Sequence, residues 1–599
     1  MAVDELVPGM DGIGKTVIHG TEVQEFPVKV IDIIPDPLGD LILIKFVDEK
    51  LPEQGLAAGM SGSPVFVAGR LLGAIGYGWS LSDNRLALVT PIKQMLELWE
   101  WQYPDPQEEA VHGSAIKEAR REISLNLAEA GLPYTSLILH ETGWSGEGSG
   151  EDGRTLHAFP ARTPILVSGM EGRAFRNLQD DLAEMGFTVR KGGANGQQDG
   201  QIEVEPGSSV AAQLVQGDVT VASIGTVTYR DENKILAFGH PFLNKGNVNL
   251  LLAGAYVHAI VPSLEVPFKL GSPLKPLGVI EQDRSVGISG TLNRFPKIIP
   301  VRIKINNLET GRIERKGFQM VKEEDMILTL ATNAALQIID DILQHVGYGT
   351  ARTTLTVTGS NLPDHKLVRE NMYYSSQDIG ATLLADFYTF LNLAVNNPFA
   401  PMEILNIDLD VELAKTHMVA LVEELQIENE QEYYQPGDIV ELKVKIRPWR
   451  AEPFYKHLEV KIPEDFAPGQ AILNITGGSE FYQQPPAEEQ GPESLNVIDL
   501  GSLPQLIDEF KNTQKNNQLV VQLIPPYTEE SYQGATMEQG EGYAPKPEVK
   551  ELFDLSYVLE GMLSYQLNIQ EKSEPSSGHN IEEQGPAAEQ TAGEGQIIN

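Results

Sequence analysis

The feature that most constrains the fold is a series of short apolar runs separated by glycine turns in the first hundred residues. Runs such as PVKVIDII, DLILIKFV and SPVFVA are six to eight residues long and rich in β-branched side chains. This length is typical of strands, because helices usually need ten residues or more. Strand-like runs return between residues 200 and 305, where VTVASIGTVTYR, KILAFGHPF and IIPVRIKI follow one another. The sequence therefore predicts a mainly β protein.

Other segments have helical patterns. TPIKQMLELWEW, near residue 95, and the amphipathic stretch from Arg173 to Met185 each predict a helix. A helical period with mixed charges also covers residues 107–131. Beyond residue 320, MILTLATNAALQIIDDILQHVG and GATLLADFYTFLNLAVNN predict two further helices. Alternating strands such as IVELKVKIRPW then indicate a β-sandwich-like module over 405–475.

Charge and composition exclude several function classes. The chain has 599 residues, a formal net charge of −39 and no cysteine. Nucleic acid and anionic lipid both need a basic surface, so neither is expected as a main partner. The absence of cysteine excludes a thiol nucleophile, a thiolate metal site and a disulfide framework. The length allows about three to five domains.

The ends of the chain and its hydropathy bear on localisation. No run of about twenty apolar residues is present, so no integral membrane span is expected. The first ten residues lack the basic start and apolar core of a signal peptide. Residues 568–599 are rich in Glu, Gln, Gly, Ser and Pro, which predicts a disordered acidic tail. These observations leave the compartment open.

One segment, GMSGSPV at residues 59–65, has the composition of a tight turn that presents a serine. Glycine at positions 59 and 62 permits backbone angles that other residues resist. Such a turn can aim successive backbone N–H groups at one point, as an oxyanion hole requires. The sequence predicts Ser61 as a nucleophile, with the N–H groups of Gly59 and Ser61 as the oxyanion hole. Ser63 as nucleophile, and a purely structural turn at Ser61, are the alternatives.

These residues resemble a known family. GMSGSPV followed by GRLLGAIGYGW resembles the nucleophile region of chymotrypsin-like serine peptidases, and more closely that of the SpoIVB-type serine peptidases of spore-forming bacteria. A second block, IGTVTY at 224–229 with LAFGHP at 236–241, resembles the family's histidine segment and implies His240 as the general base. The resemblance covers roughly residues 5–100 and 200–300. The serine block comes first here, whereas the histidine block comes first in the sporulation protease.

The resemblance also implies a third member of the site. Asp48, in the segment FVDEKL, corresponds to the family's acidic stretch and is expected to orient His240. Asp218 and Asp231 are alternatives, and a dyad without an acid remains open. Hydrogen bonding to an acid fixes the imidazole tautomer, which is worth about 10⁴ in kcat in one known protease.

The histidines also have alternative interpretations. The alternative interpretation of His240 is a structural role at the end of a strand. His19 is the alternative base, although its sequence context is more typical of a turn. His258 is interpreted as a packed strand residue.

The predicted fold class is mainly β and multidomain, with a chymotrypsin-like double β-barrel core. The predicted boundaries are 1–104 for a half-barrel carrying the serine, 105–200 for an α/β insertion, 201–305 for a half-barrel carrying the histidine, 306–404 for a mixed α/β accessory segment, 405–475 for the β-sandwich-like module, 476–567 for a mixed C-terminal segment and 568–599 for the tail.

The predicted function is a serine endopeptidase with a Ser-His(-Asp) acyl-enzyme mechanism, regulatory or self-cleaving as in envelope and sporulation proteases. A catalytically inactive peptidase-like scaffold that binds protein partners is the alternative. No cofactor or metal is expected, because no His/Asp/Glu spacing suits a metal and no phosphate loop is present. The expected partners are a protein or peptide substrate and proteins bound by the C-terminal modules. The resemblance suggests the cell envelope.

Overall fold

The computed structural model describes residues 1–36, 39–47, 55–79, 85–101, 120–124, 135–140, 154–161, 164–193, 202–263, 266–482, 501–526 and 549–571. The chain is mostly β and divides into two compact units. The first unit comprises residues 1–419, 481–517 and 556–558. The second comprises residues 420–480, 518–555 and 559–599. A β-rich multidomain fold is therefore confirmed.

The first ninety residues form a closed six-stranded barrel. Its strands are β1 Asp11–Val17, β2 Val23–Ile34, β3 Leu41–Phe46, β4 Pro64–Val67, β5 Arg70–Trp79 and β6 Leu86–Pro91. They pair in the order β1-β2-β3-β6-β5-β4, and β4 pairs back onto β1, which closes the ring. Alternating apolar residues of these strands fill the interior, among them Phe26, Ile44 and Ile75. Helix α1, Ile92–Leu96, follows β6, as predicted for this stretch.

The sheet of the first barrel continues beyond β5. Strands β7 Arg120–Ser124, β8 Ser136–His140 and β9 Thr155–Pro160 extend it in the order β5-β9-β8-β7. Residues 120–124 are thus a strand where the sequence predicted helix. The other residues of the predicted 107–131 helix lie outside the described residues. Strand β10 Ile165–Ser168, helix α2 Gly172–Glu184 and strand β11 Val189–Lys191 follow. The α2 helix was predicted to within a residue at each end.

A second closed six-stranded barrel follows. Its strands are β12 Ser209–Gly217, β13 Thr220–Asp231, β14 Lys234–Ala237, β15 Gly246–Val261, β16 Phe268–Arg284 and β17 Gly287–Leu292. They pair in the order β12-β13-β14-β17-β16-β15, and β15 pairs back onto β12. Numbered within each barrel, both rings have the strand order 1-2-3-6-5-4. The two barrels therefore share one topology.

The second barrel is part of a larger sheet. The following elements are β18 Ile298–Asn307, β19 Arg312–Val321, α3 Glu324–Leu343, β20 Gly349–Gly359, β21 Lys366–Ser375, α4 Ile379–Thr382, α5 Ala385–Asn396 and β22 Ile404–Ala414. Their strands continue from β12 in the order β19-β18-β22-β20-β21, and β10 and β11 join at β13. Helices α2, α3 and α5 share one apolar core with the barrel strands. The described strands and helices within 105–200 and 306–404 thus belong to the sheets and the core of the two barrels.

Helix α3 has a composition that could be confused with a membrane span. It is the one helix among the described residues that is long and apolar enough to cross a membrane. Its most apolar window is 61% buried within the protein, against helices α2 and α5 and strand β19. This helix therefore belongs to the core of the first unit.

The remaining elements are β23 Val419–Ile427, β24 Ile439–Pro448, β25 Phe454–Lys461, β26 Gly469–Gly477, α6 Leu503–Asn512, β27 Gln518–Ile524, β28 Val549–Asp554, β29 Val558–Glu560 and β30 Met562–Ile569. Helix α6 belongs to the first unit. The strands form two four-stranded sheets, β25-β24-β23-β29 and β28-β27-β26-β30. Because β26 pairs with both β27 and β30, the predicted boundary at 475 falls inside one sheet. Strand β30 ends at Ile569, and residues 572–599 of the predicted tail lie outside the described residues.

Candidate functional site

The predicted serine lies in the connection between the third and fourth strands of the first barrel. Within this connection, residues 55–63 form the serine loop. Gly59 and Gly62 have φ of +95° and +89°, angles that favour glycine. Two overlapping turns fix the loop, with the Met60 N–H donating to the Ala57 carbonyl and the Ser63 N–H donating to the Met60 carbonyl, both at 2.9 Å. The sequence signal for a tight turn at Ser61 is confirmed.

Ser61 is held by its backbone carbonyl, while its hydroxyl forms no hydrogen bond with the described residues. The carbonyl accepts the Thr226 N–H at 2.8 Å. The side chain is 1% exposed, and neither its Oγ nor its backbone N–H donates to any described residue. The Ser63 Oγ is also buried without a partner in the described structure, but the Ser63 N–H is bonded within the loop. Only Ser61 therefore combines an available hydroxyl with an available backbone donor.

The second predicted oxyanion donor is already engaged. The Gly59 N–H donates to the Ala161 carbonyl at 3.4 Å, near the upper limit for a hydrogen bond. Such a long bond is weak, so an oxyanion that bound here would replace it at small cost. Of the two predicted oxyanion donors, the Ser61 N–H is available and the Gly59 N–H is engaged in one weak hydrogen bond.

The predicted base lies in the matching connection of the second barrel, between its third and fourth strands. The chain bends sharply there, with φ of +70° at Phe238 and +67° at Gly239. A non-glycine residue at positive φ is strained, and such strain is often found at functional sites. His240 is 1% exposed, and its ring lies near those of Phe238 and Tyr77, with centroids 5.9 and 6.5 Å away. We call residues 238–244 the histidine loop.

The tautomer of His240 follows from its hydrogen bond. Its Nδ1 lies 2.7 Å from the Pro241 carbonyl oxygen, which can only accept. Nδ1 therefore carries the hydrogen, and Nε2 carries the lone pair in the neutral ring. This is the tautomer that a general base acting through Nε2 requires.

Thr226, on β13, joins the two loops. Its N–H donates to the Ser61 carbonyl, and its own carbonyl accepts the Phe238 N–H at 3.3 Å. The approach is so close that a Cβ on Gly62 would lie 2.0 Å from the Thr226 carbonyl oxygen. The structure thus brings together two loops whose key residues are almost 180 positions apart. Ser61 and His240 do not hydrogen-bond to each other in this structure.

A buried carboxylate that the sequence analysis missed supports the histidine loop. Asp283, at the end of β16, is fully buried and accepts the backbone N–H groups of Phe242 at 2.7 Å, of Leu243 and of Asn244 at 3.0 Å. The Phe242 N–H and the Pro241 carbonyl belong to one peptide group. The carboxylate therefore holds the same peptide that accepts the His240 Nδ1–H.

Of the acids considered from sequence, neither Asp218 nor Asp231 occupies this place. Asp48 lies outside the described residues. Asp218 accepts the Gly317 N–H at the turn after β12, and Asp231 is exposed at the end of β13. Asp283 follows Glu281 and Gln282 near the end of a strand-like stretch, LGVIEQD, so no local signal distinguishes it from an ordinary charged residue at a strand end.

The two other histidines considered from sequence lie elsewhere. His19 is exposed after β1 and contacts the edge of Tyr256. The Nε2 of His258 bonds to the Ser272 Oγ at 2.9 Å, as expected for a packed strand residue. Among the described residues, no hydrogen bond joins either histidine to the serine loop.

The described residues contain no group of three His, Asp or Glu side chains that could hold a metal ion. Comparisons with protein families, curated proteins and solved structures found no match to this chain. The function must therefore be argued from the site itself.

Proposed function

We propose that this chain is a serine endopeptidase with a chymotrypsin-like double-barrel core, in which Ser61 is the nucleophile and His240 the general base. The observation that carries the proposal is the convergence of the serine loop and the histidine loop on Thr226. Each loop joins the third and fourth strands of a six-stranded barrel, and the two barrels share one strand order. One barrel supplies an alcohol and the other an imidazole in its base-competent tautomer.

The reaction would proceed through an acyl-enzyme. Ser61 Oγ attacks the carbonyl carbon of a peptide bond while its proton passes to His240 Nε2. The Ser61 N–H, joined by the Gly59 N–H, stabilises the oxyanion. His240 then protonates the leaving amine, and the C–N bond breaks. Water deprotonated by the same imidazole hydrolyses the ester and releases the acid, which returns Ser61 to its starting state.

In this proposal Asp283 takes the place expected for Asp48, although it acts differently. It does not need to touch the imidazole, because it fixes the Pro241–Phe242 peptide that accepts the Nδ1–H. The carboxylate would hold the ring in one orientation and stabilise the imidazolium through an intervening peptide dipole. Asp283 is therefore a positioning residue.

The burial of both side chains sets a condition on activity. Ser61 and His240 are each 1% exposed, so a substrate carbonyl reaches the hydroxyl only after surrounding residues move. Catalytic hydrogen bonds are often long or absent in enzymes without substrate and form in the complex. The missing Ser61–His240 bond is consistent with a substrate-free state in which the site is closed to solvent.

The test is covalent labelling by a fluorophosphonate probe, with labelled peptides identified by mass spectrometry. We expect wild type and the variant Ser63→Ala to be labelled at Ser61, and Ser61→Ala to be unlabelled while keeping the circular dichroism spectrum of the wild type. Ser63 is the matched control, because its hydroxyl is equally buried and unpartnered in the described structure. Equal labelling of wild type and Ser61→Ala would remove Ser61 as the nucleophile.

A second function is favoured by the same burial. A peptidase-like scaffold that binds protein partners needs no access to Ser61. It predicts no labelling of wild type at any pH between 6 and 9, together with full folding. A self-cleaving peptidase instead predicts shortened chains that disappear in Ser61→Ala. Labelling and gel analysis of wild type and Ser61→Ala therefore distinguish an endopeptidase, a binding scaffold and a self-cleaving peptidase.

A further inference from the structure

A fully buried lysine lies between the two barrels beside the serine loop. Lys269 is near the start of β16 in the second barrel, and its side chain is 0% exposed. Its Nζ lies 2.8 Å from the Thr16 Oγ1 of the first barrel, and 3.3 and 3.5 Å from the Thr226 Oγ1 and the Ser209 Oγ of the second. Within the described part of the chain it forms no ion pair. An amine so completely removed from water needs an explanation.

The backbone of Lys269 holds one peptide of the serine loop. Its N–H donates to the Ala58 carbonyl at 2.9 Å, and the Ala58 N–H donates to the Pro267 carbonyl at 2.7 Å. The Ala58 carbonyl and the Gly59 N–H belong to the same peptide group. The direction of a predicted oxyanion donor is therefore fixed from β16.

The side chain of Lys269 holds the next peptide through Thr226. The Thr226 Oγ1 donates to the Gly59 carbonyl at 2.9 Å. A hydroxyl has one hydrogen, so this oxygen must accept its second bond, from Lys269 Nζ. The relay from Lys269 through Thr226 to Gly59 thus fixes the Gly59–Met60 peptide.

The groups that surround the amine are suited to its neutral form. The hydroxyls that face it come from β1, β12 and β13, and none of them titrates near neutral pH. Burial lowers the pKa of Lys269 to about 7. A neutral amine has two hydrogens and one lone pair, so it can donate to two of the three surrounding hydroxyls and accept from the third. All its bonds are then satisfied without a buried charge.

We propose that Lys269 is a positioning residue that sets two successive peptides of the serine loop. The Ala58–Gly59 peptide presents the Gly59 N–H, and the Gly59–Met60 peptide leads directly into the Met60–Ser61 peptide, which presents the Ser61 N–H. This inference rests on the proposed peptidase function. A lysine that only filled space between the barrels would be replaceable by an apolar chain of similar length. Methionine is such a chain, so the two roles give different results.

The test compares Lys269→Met with Lys275→Met, an exposed lysine on the same strand. Two quantities are measured: the rate of fluorophosphonate labelling and the hydrogen–deuterium exchange of a peptide covering residues 57–63. We expect Lys269→Met to label roughly 10- to 100-fold more slowly, comparable to loss of one oxyanion donor or less. Exchange in 57–63 should become at least about tenfold faster, since the Nζ bond that orients the Thr226 hydroxyl toward the Gly59 carbonyl is lost. Lys275→Met should match wild type in both.

A second pair of variants covers the case in which Lys269→Met does not fold. Thr226→Val removes the relay hydroxyl and should slow labelling and loosen residues 57–63, whereas Thr226→Ser keeps the hydroxyl and should restore both. With a peptide substrate, the loss should lie in kcat and not in KM, because the donors act on the transition state.

The outcomes separate this inference from the proposed function. Wild-type rates of labelling and exchange in both Lys269→Met and Thr226→Val would overturn the role of Lys269. If wild type is never labelled but exchange in 57–63 still rises in the variants, the peptidase proposal fails. The support of the loop by Lys269 then stands as a structural finding.

Discussion

The serine loop and the histidine loop occupy the same position in two barrels of the same topology, yet they are held in different ways. The serine loop is held largely by the opposite barrel, where the Thr226 and Thr228 hydroxyls donate to the Gly59 and Gly62 carbonyls at 2.9 and 2.8 Å. Among the described residues, its own barrel holds only the end of the loop, where Ile75 bonds to the Gly62 N–H and the Ser63 carbonyl. The histidine loop is held mainly by a carboxylate of its own barrel, Asp283.

This difference shows which parts of the site depend on docking of the barrels. The second barrel can form the histidine loop alone, because β16 and the loop belong to it. The serine loop needs β13 and β16 of the other barrel for the bonds to four of its carbonyls, those of Ala58, Gly59, Ser61 and Gly62. A reciprocal hydrogen bond runs the other way, in which the Thr90 Oγ1 of the first barrel donates to the Gly239 carbonyl at 2.6 Å. The nucleophile should therefore be more sensitive to the interface than the base.

The largest expected effect is at the base itself. His240→Gln keeps a side chain of similar size but removes the basic nitrogen, so labelling should fall on the order of 10⁴-fold or more. The measurement is the second-order rate constant with the probe. His19→Gln and His258→Gln should keep the wild-type rate, and loss of labelling in His19→Gln alone would transfer the role of base to that residue.

The next effect tests the carboxylate support of the histidine loop. An amide oxygen in Asp283→Asn cannot accept all three backbone N–H groups, and its NH₂ group would face one of them. We expect roughly 10²- to 10³-fold slower labelling and a loss of stability of several kcal/mol, because hydrogen bonds to a charged group are worth about 1.5–3 kcal/mol each. Asp231→Asn is the exposed control. A wild-type labelling rate in Asp283→Asn would show that the loop keeps its shape without the charge.

The sequence was informative where the signal is local. The strands of the first barrel, the helix near residue 95 and α2 each follow from a period or a glycine that lies within the element itself. The turn at Ser61 also follows from its own glycines. These features depend on residues that are adjacent in the sequence, so a short segment of the chain is enough to predict each of them.

The sequence was less informative where partners are distant. Closure of the second barrel needs β15 to meet β12, and the extension of its sheet to β21 runs across residues 306–404. Asp283 acts on residues about 40 positions away, and Lys269 contacts Thr16 across 253 positions. Nothing near either residue reveals these contacts. Both look like ordinary charged residues of a strand until the pairing is known.

A third prediction concerns the response to pH of the amine beside the serine loop. The pKa of Lys269 is lowered in the folded state to about 7 from an ordinary value of 10.5. Between these values the unfolded chain binds a proton that the folded chain does not, so the stability of wild type rises with pH. The slope is at most about 1.4 kcal/mol per pH unit from this group.

The measurement is chemical denaturation of wild type and Lys269→Met from pH 7 to 9.5. The methionine variant lacks this titration, while all other groups contribute equally to both proteins. Its stability relative to wild type should therefore be greatest at pH 7 and decrease as the pH rises. A difference that stays constant with pH would mean that Lys269 keeps its ordinary pKa in the folded protein.

The smallest expected effects come from single hydroxyls that cross between the barrels. Thr90→Val and Thr228→Val each remove one hydrogen bond to a loop carbonyl with little change in volume, at a cost of about 1–2 kcal/mol. Thr90→Val should loosen exchange in residues 238–244 only slightly, because Asp283 still holds that loop. Thr228→Val should loosen residues 57–63 more and slow labelling up to about tenfold, since no carboxylate compensates there. Equal responses of the two loops would mean that Asp283 gives the histidine loop no support beyond that of the Thr90 hydroxyl. The proposed difference in how the two loops are held would then be wrong.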